Sequence, residues 1–280
     1  MNDNYKYRFG KVVYDLSART YIMGILNVTP DSFYDGGKFL GIDQAVAHAK
    51  KMQEEGADFI DVGGQSSRPG SEEVPLDEEQ KRIIPVIKRL RDEIAIPISV
   101  DTYRSAVADE ALANGASIVN DISAFDFDEE MPKVIAKYKA SCIMMHMKGK
   151  PSDMQVNPVY NNILAEVLAY FEKAIWKANV EGVEQIIIDP GIGFGKTTEH
   201  NLTLIQNIKE LKKLDCPVMI GVSRKSLIGK ITGAEAEERL SGTIALNTIS
   251  ILNGVDILRV HDVQEAVRMA KIVDAYRKLG

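Results

Sequence analysis

EEGADFIDVGG, residues 54–64, closes a helix and opens a strand within four residues. Gly56 follows a helical pattern that runs from about Asp43 to Glu55, where a left-handed cap is wanted. DFIDV, from Asp58, is a short β-rich apolar run. The same joint returns as NGAS at 114–117 and NGVD at 253–256, and Gly182 holds the equivalent place. Working outward from these joints, strand-like runs appear as YIMGIL from Tyr21, PISV from Pro97, ASIVN from Ala116, SCIMMH from Ser141, QIIID from Gln185, PVMIG from Pro217 and DILRV from Asp256. Helical stretches lie between them at about 77–93, 104–114, 129–139, 161–179 and 201–213, then in two pieces to 253 and finally at 263–278. In the first of these, Ile83, Ile84, Val86, Ile87 and Leu90 recur at helical spacing. Strands alternating with helices imply parallel pairing through right-handed crossovers. Eight such units without low-complexity linkers predict an α/β fold of the (β/α)8 barrel type, spanning residues 1–280 as one domain. A doubly wound open sheet is the competing architecture. Residues 1–20 precede the first barrel strand and are expected to form a short hairpin-like lead that closes the barrel bottom.

The composition is that of an ordinary globular chain: 280 residues, 45% hydrophobic and 26% charged. Forty acidic residues against 34 basic give a net charge of −6, which speaks against a nucleic-acid partner, since phosphate neutralisation calls for a basic excess. No apolar run approaches the ~18 residues of a membrane span, and MNDNYKYRFG carries no signal-peptide core. The expected setting is cytoplasmic, with no membrane partner. Cys142 and Cys216 sit in no CxxC pair and are expected as reduced, buried thiols.

A barrel strand should be apolar along its length, and function gathers at its C-terminal mouth. The apparent strand ends here are Asn27, Asp61 with Gly63 and Gly64, Asp101, Asn120 with Asp121, His146, Asp189, Gly221 with Ser223, and Arg259 with His261. One polar strand end is ordinarily a helix cap; a full ring of them is harder to assign that way. Asp101, Asn120 and Asp189 could read the donor-rich edge of a flat heterocycle. Arg259, His261, Lys225 and Asn27 could surround an anion, most simply phosphate, although Lys225 and Arg259 taken singly read equally well as surface ion pairs. Several chemistries fail on spacing. GIGFGKT from Gly191 has Pro190 where a phosphate loop needs its first glycine, and Lys196 where a dinucleotide motif needs its third. His48, His146, His200 and His261 form no zinc-binding pair, and Ser66 and Ser67 lie in no nucleophile elbow. Lys225 beside Arg224 leaves a Schiff-base enzyme open as a different class.

At GILNVTPDSFYDGG, from Gly24, the chain resembles the dihydropteroate synthases. The likeness continues through GGQSSRPG from Gly63, SVDTYR from Ser99, VNDIS from Val119, DPGIGFGKT from Asp189, GVSRKS from Gly221 and RVHD from Arg259. The resemblance implies a (β/α)8 barrel that joins 4-aminobenzoate to 6-hydroxymethyl-7,8-dihydropterin diphosphate and releases diphosphate. It places Asp101, Asn120, Asp189 and Lys225 in the pterin pocket, and Asn27, Ser67, Arg259 and His261 at the diphosphate, with Mg2+ at or near Asn27. Ser67, Arg68, Pro69, Phe33, Phe194 and Ser226 would meet the aminobenzoate, while Asp31, Ser32 and Phe33 belong to a first loop. Asp101, Lys225, Asp31 and Arg68 would take the catalytic roles. A homodimer through late helices is implied as well. Gln65 and Ser67 depart from the usual GGESTRPG; Ser67 keeps the hydroxyl and loses a methyl with its χ1 stiffness. Two other readings share the pterin residues: a methyltetrahydrofolate-binding methyltransferase, which needs no diphosphate cluster, and a non-catalytic pterin-binding homologue.

Overall fold

In the computed structural model, which describes residues 5–28, 37–65, 71, 73–151 and 153–279 (the first four of α1 by their backbone), the lead is a two-stranded antiparallel hairpin, β1 (Lys6–Phe9) and β2 (Val12–Asp15). Eight parallel strands follow: β3 (Tyr21–Asn27), β4 (Phe59–Gly63), β5 (Ile98–Asp101), β6 (Ile118–Asp121), β7 (Ser141–Met145), β8 (Gln185–Asp189), β9 (Met219–Ile220) and β10 (Ile257–Val260). Their order is β8-β7-β6-β5-β4-β3-β10-β9. A parallel bridge from Ile188 to Val218, with the Ile188 N–H donating to the Pro217 carbonyl at 3.0 Å, ties the ends of that order together. The predicted strand from Pro217 is therefore short. Proline has no N–H to add to the ladder, and the Val218 N–H is taken by the Asp256 carboxylate at 2.7 Å.

The helices are α1 (Gly37–Glu55), α2 (Leu76–Glu93), α3 (Ser105–Ala113), α4 (Met131–Tyr138), α5 (Ile163–Val180), α6 (Thr198–Gln206), α7 (Ile208–Leu211), α8 (Ser226–Thr232), α9 (Leu240–Leu252) and α10 (Val263–Arg277). The stretch expected as one helix over 201–213 is broken at Asn207, whose side-chain amide donates to the Thr203 carbonyl at 2.8 Å and competes with the helical ladder. α1 begins six residues before the expected Asp43. No helix is long and apolar enough to cross a membrane among the described residues.

The period of two along each strand sorts the barrel into layers. Ile60, Val62, Ile98, Val100, Ile186, Ile188, Leu258 and Val260 face outward into the core shared with helical residues such as Ile83, Ile87 and Leu90. Met23, Phe59, Ile118, Ile143, Ile187, Met219 and Ile257 face inward and form an apolar floor. The hairpin seals that floor from below. Phe9 stacks edge-on against Phe59 at 5.0 Å between ring centroids, and the Tyr7 and Tyr5 hydroxyls donate to the carbonyls of Ile186 (2.7 Å) and Cys216 (3.1 Å). Two residues further along, four of these seven positions turn polar: Asp61 after Phe59, Asn120 after Ile118, Asp189 after Ile187 and Arg259 after Ile257. One step of the strand pattern thus separates the plug of the barrel from its chemistry.

Candidate active site

The polar layer is organised around a carboxylate that no ligand role was expected for. Asp61, fully buried on β4, accepts through Oδ2 from Arg259 Nε at 2.6 Å and from Asn120 Nδ2 at 3.0 Å. Arg259 Nη2 donates to Asp101 Oδ2 at 2.7 Å. Arg259 therefore lies across two carboxylates, among the residues expected for the pterin. Burial pushes the Asp101 carboxyl up to about 7; Arg259 opposes the shift, and Asp61, Glu79 and Asp121 add to it. On the other side of the barrel, burial also raises Asp189, against the pull of Lys225 and of the Gly191 N–H that donates to it at 2.7 Å. Lys225 is pushed down to about 8 by burial, with Asp189 holding its proton and Arg259 repelling it. Its ammonium donates to the Ile192 carbonyl and lies over the Phe194 ring, 4.5 Å from the centroid.

The glycine-rich segment after β8 owes its composition to close packing. Gly191 has φ +68°, and a Cβ there would stand 1.9 Å from the His146 carbonyl oxygen; at Gly195, φ +63°, it would stand 2.3 Å from that of Lys148. The loop thus lies directly on the segment leaving β7. Lys196 fastens the two: it is 2% exposed, and Nζ donates to the His146 carbonyl at 3.1 Å and the Phe194 carbonyl at 2.9 Å. In the sequence Lys196 figures only in the failed phosphate-loop and dinucleotide spacings and within the DPGIGFGKT likeness; a burial decided by a distant loop leaves no local signal. His146 is held neutral, pushed down to about 2 by burial and by Lys196 and Lys148, with its ring edge-on to Tyr170.

At the rim, Asn27 is exposed at the end of β3, in register with Gly63 on β4. His261 follows β10, its Nδ1 3.0 Å from Ser223 Oγ. Ser226, exposed, is the first residue of α8, and Phe194 is half-buried beneath Lys225. Gln65, which stands where the pattern usually has glutamate, donates through Nε2 to the Tyr103 hydroxyl at 3.0 Å. Asp31, Ser32, Phe33, Ser67, Arg68 and Pro69 lie outside the described residues. No group of three His, Cys, Asp or Glu side chains capable of holding a metal ion occurs among the described residues.

Residues 23–261 match the family model described as pterin binding enzyme. A dihydropteroate synthase from Synechocystis is 48% identical over 95% of this chain and 93% of its own. The chain belongs to the dihydropteroate synthase family. It is a transferase of folate synthesis. Solved dihydropteroate synthases share its barrel: the enzyme from Clostridium difficile in the presence of pteroic acid (TM-score 0.89, 47% identity, 94% of this chain and 98% of that one) and the enzyme from Xanthomonas albilineans with 4-aminobenzoic acid (TM-score 0.91, 39% identity, 98% of each). Membership removes the Schiff-base reading of Lys225 and the doubly wound sheet together. Within a dihydropteroate synthase, the depressed Lys225 is an ammonium poised beside a carboxylate rather than an imine-forming amine.

Proposed function

We propose that the buried polar layer binds the dihydropterin ring of (7,8-dihydropterin-6-yl)methyl diphosphate and that the chain transfers its methylene carbon to the amine of 4-aminobenzoate. The observation that carries this reading is the set Asp101, Asn120, Asp189 and Lys225, placed together above a sealed apolar floor. A flat ring with N–H and NH2 groups on one edge and a carbonyl on another needs that mixture of carboxylate, amide and ammonium in a dry site. The solved relatives named for pteroic acid and 4-aminobenzoic acid fit the same two halves of the substrate set.

The proposed step breaks the bond between the methylene carbon and the diphosphate oxygen first, and both electrons leave with the diphosphate. The resulting cation is delocalised into the ring, where the Asp101 carboxylate stabilises it. The arylamine nitrogen then forms the new bond and passes its proton to the released diphosphate. Asn27, Ser67, Arg259 and His261 would hold the diphosphate. Ser67, Arg68, Pro69, Phe33, Phe194 and Ser226 would hold the aminobenzoate, with Asp31 and Arg68 closing over the reacting carbon and excluding water that would capture the cation. A magnesium ion, which takes only one or two protein ligands and fills its remaining positions from phosphate and water, suits the single exposed carboxamide of Asn27; bound there it would neutralise the leaving diphosphate. The chain works as a homodimer in the cytoplasm on this reading, with residues 1–280 as one unit. The order of bond breaking is tested by deuterium at the methylene carbon. A normal secondary isotope effect, unchanged when the amine is made more basic, is expected; an effect near unity would show simultaneous displacement and overturn the stepwise route.

A further inference from the structure

Asp61 has no part in the roles above, yet it sits at the centre of the network. It is fully buried, and its Oδ1 has no hydrogen-bond partner among the described residues, while Oδ2 serves two donors. A half-satisfied buried carboxylate is a poor stabilising device, and one cation, Arg259, is shared between it and Asp101. Its chemistry at the site is directional. A carboxylate can only accept, so the Asn120 amide must turn its NH2 toward Asp61, and its Oδ1 is then left as an acceptor for other groups. The same carboxylate holds Arg259 by Nε, from behind. The Nη2 contact to Asp101 can then be exchanged for a ligand oxygen without moving the whole side chain.

Resting on the reading of this layer as the pterin pocket, we propose that Asp61 is a positioning residue that sets the donor–acceptor polarity of that pocket. It presents Asn120 as an acceptor to the ring N–H groups and anchors Arg259 for release from Asp101. An amide at position 61 would lose this control. Its NH2 could face Asn120 Oδ1, and the Asn120 amide would turn over and offer donors to donors.

The test is Asp61→Asn, which keeps volume and shape, in the full-length protein. Calorimetric affinity for pterin diphosphate should fall by about tenfold to 100-fold, and kcat/KM for that substrate should fall with it. The KM for 4-aminobenzoate should stay within about twofold. The acid limb of the pH–rate profile should also move to lower pH. Of the groups facing Asp101, the variant removes the negative charge of Asp61 and keeps Arg259, Glu79 and Asp121. The double variant Asp61→Asn with Asn120→Asp restores one carboxylate and one amide in complementary places and should recover pterin affinity. It also serves as the test if Asp61→Asn alone fails to fold, because Asn120→Asp alone would set two carboxylates face to face. Pterin affinity unchanged in Asp61→Asn, or an equal loss for both substrates with no recovery in the double variant, would overturn the inference. If the unaltered protein bound no pterin diphosphate, the reading of the pocket would fall instead, so the two failures are distinguishable.

Discussion

Asp101, Asp189, Lys225 and Arg259 are charged side chains drawn out of water at the mouth of the barrel, each leaning on another for its charge. Desolvation of that kind costs several kcal/mol per ion before pairing, so their presence is better explained by a ligand than by stability. Asp189→Asn should weaken pterin binding by about tenfold to 100-fold, the worth of a hydrogen bond to a charged acceptor; unchanged affinity in calorimetry would remove Asp189 from the pocket. The pH dependence follows from two of these groups. Asp101 must be ionised to stabilise a cation, so kcat/KM for pterin diphosphate should rise through about pH 7. Lys225 must keep its proton, so it should fall through about pH 8, giving a narrow bell. Lys225→Gln should abolish the alkaline limb, and a limb that survived would belong to another group. Asp101, Asn120 and Asp189 were legible in the sequence as polar ends of apolar runs. The central place of Asp61 was not, because it depends on which donors β6 and β10 bring against it. Lys196 escaped notice for the same reason: its partners are carbonyls of other loops, and carbonyls carry no residue identity.

At the scale of elements, the joints at Gly56, Gly115, Gly182 and Gly254 were readable because each is a helix ending at positive φ just before a strand. The shortness of β9 and the break between α6 and α7 were not, since Asp256 and Asn207 act there through hydrogen bonds that an apolar pattern does not encode. The loop after β8 shows the difference most directly. GIGFGKT looks like a phosphate loop, but Gly191 and Gly195 are needed because backbone carbonyls of His146 and Lys148 occupy the space a Cβ would take. Gly191→Ala should destabilise the fold by at least about 2 kcal/mol through strain at positive φ and that contact. It should also weaken pterin binding, because the Gly191 N–H donates to Asp189. Thermal unfolding and calorimetry on one preparation would check both, and a variant as stable as the parent would mean the two loops can part without cost.

For the whole molecule, the barrel divides into an apolar plug and a polar mouth one strand step apart, and the hairpin belongs entirely to the plug. Phe9→Ala should therefore lower stability by about 3–5 kcal/mol, as for other large-to-small changes at a buried aromatic, and leave the KM values of the folded enzyme near their starting point. A change in KM without loss of stability would contradict that separation. The net charge of −6 belongs to the chain as a whole and conceals the cations at the mouth: the strand ends already grouped Lys225 and Arg259 there, and the fold adds Lys196, buried against the carbonyls of His146 and Phe194. The most direct measurement mixes the purified protein with (7,8-dihydropterin-6-yl)methyl diphosphate, Mg2+ and 4-aminobenzoate, and follows diphosphate release together with the pterin product. Release that depends on the amine and is matched by 7,8-dihydropteroate is the expected result. Absence of that product, with or without release of diphosphate, would contradict the assigned reaction.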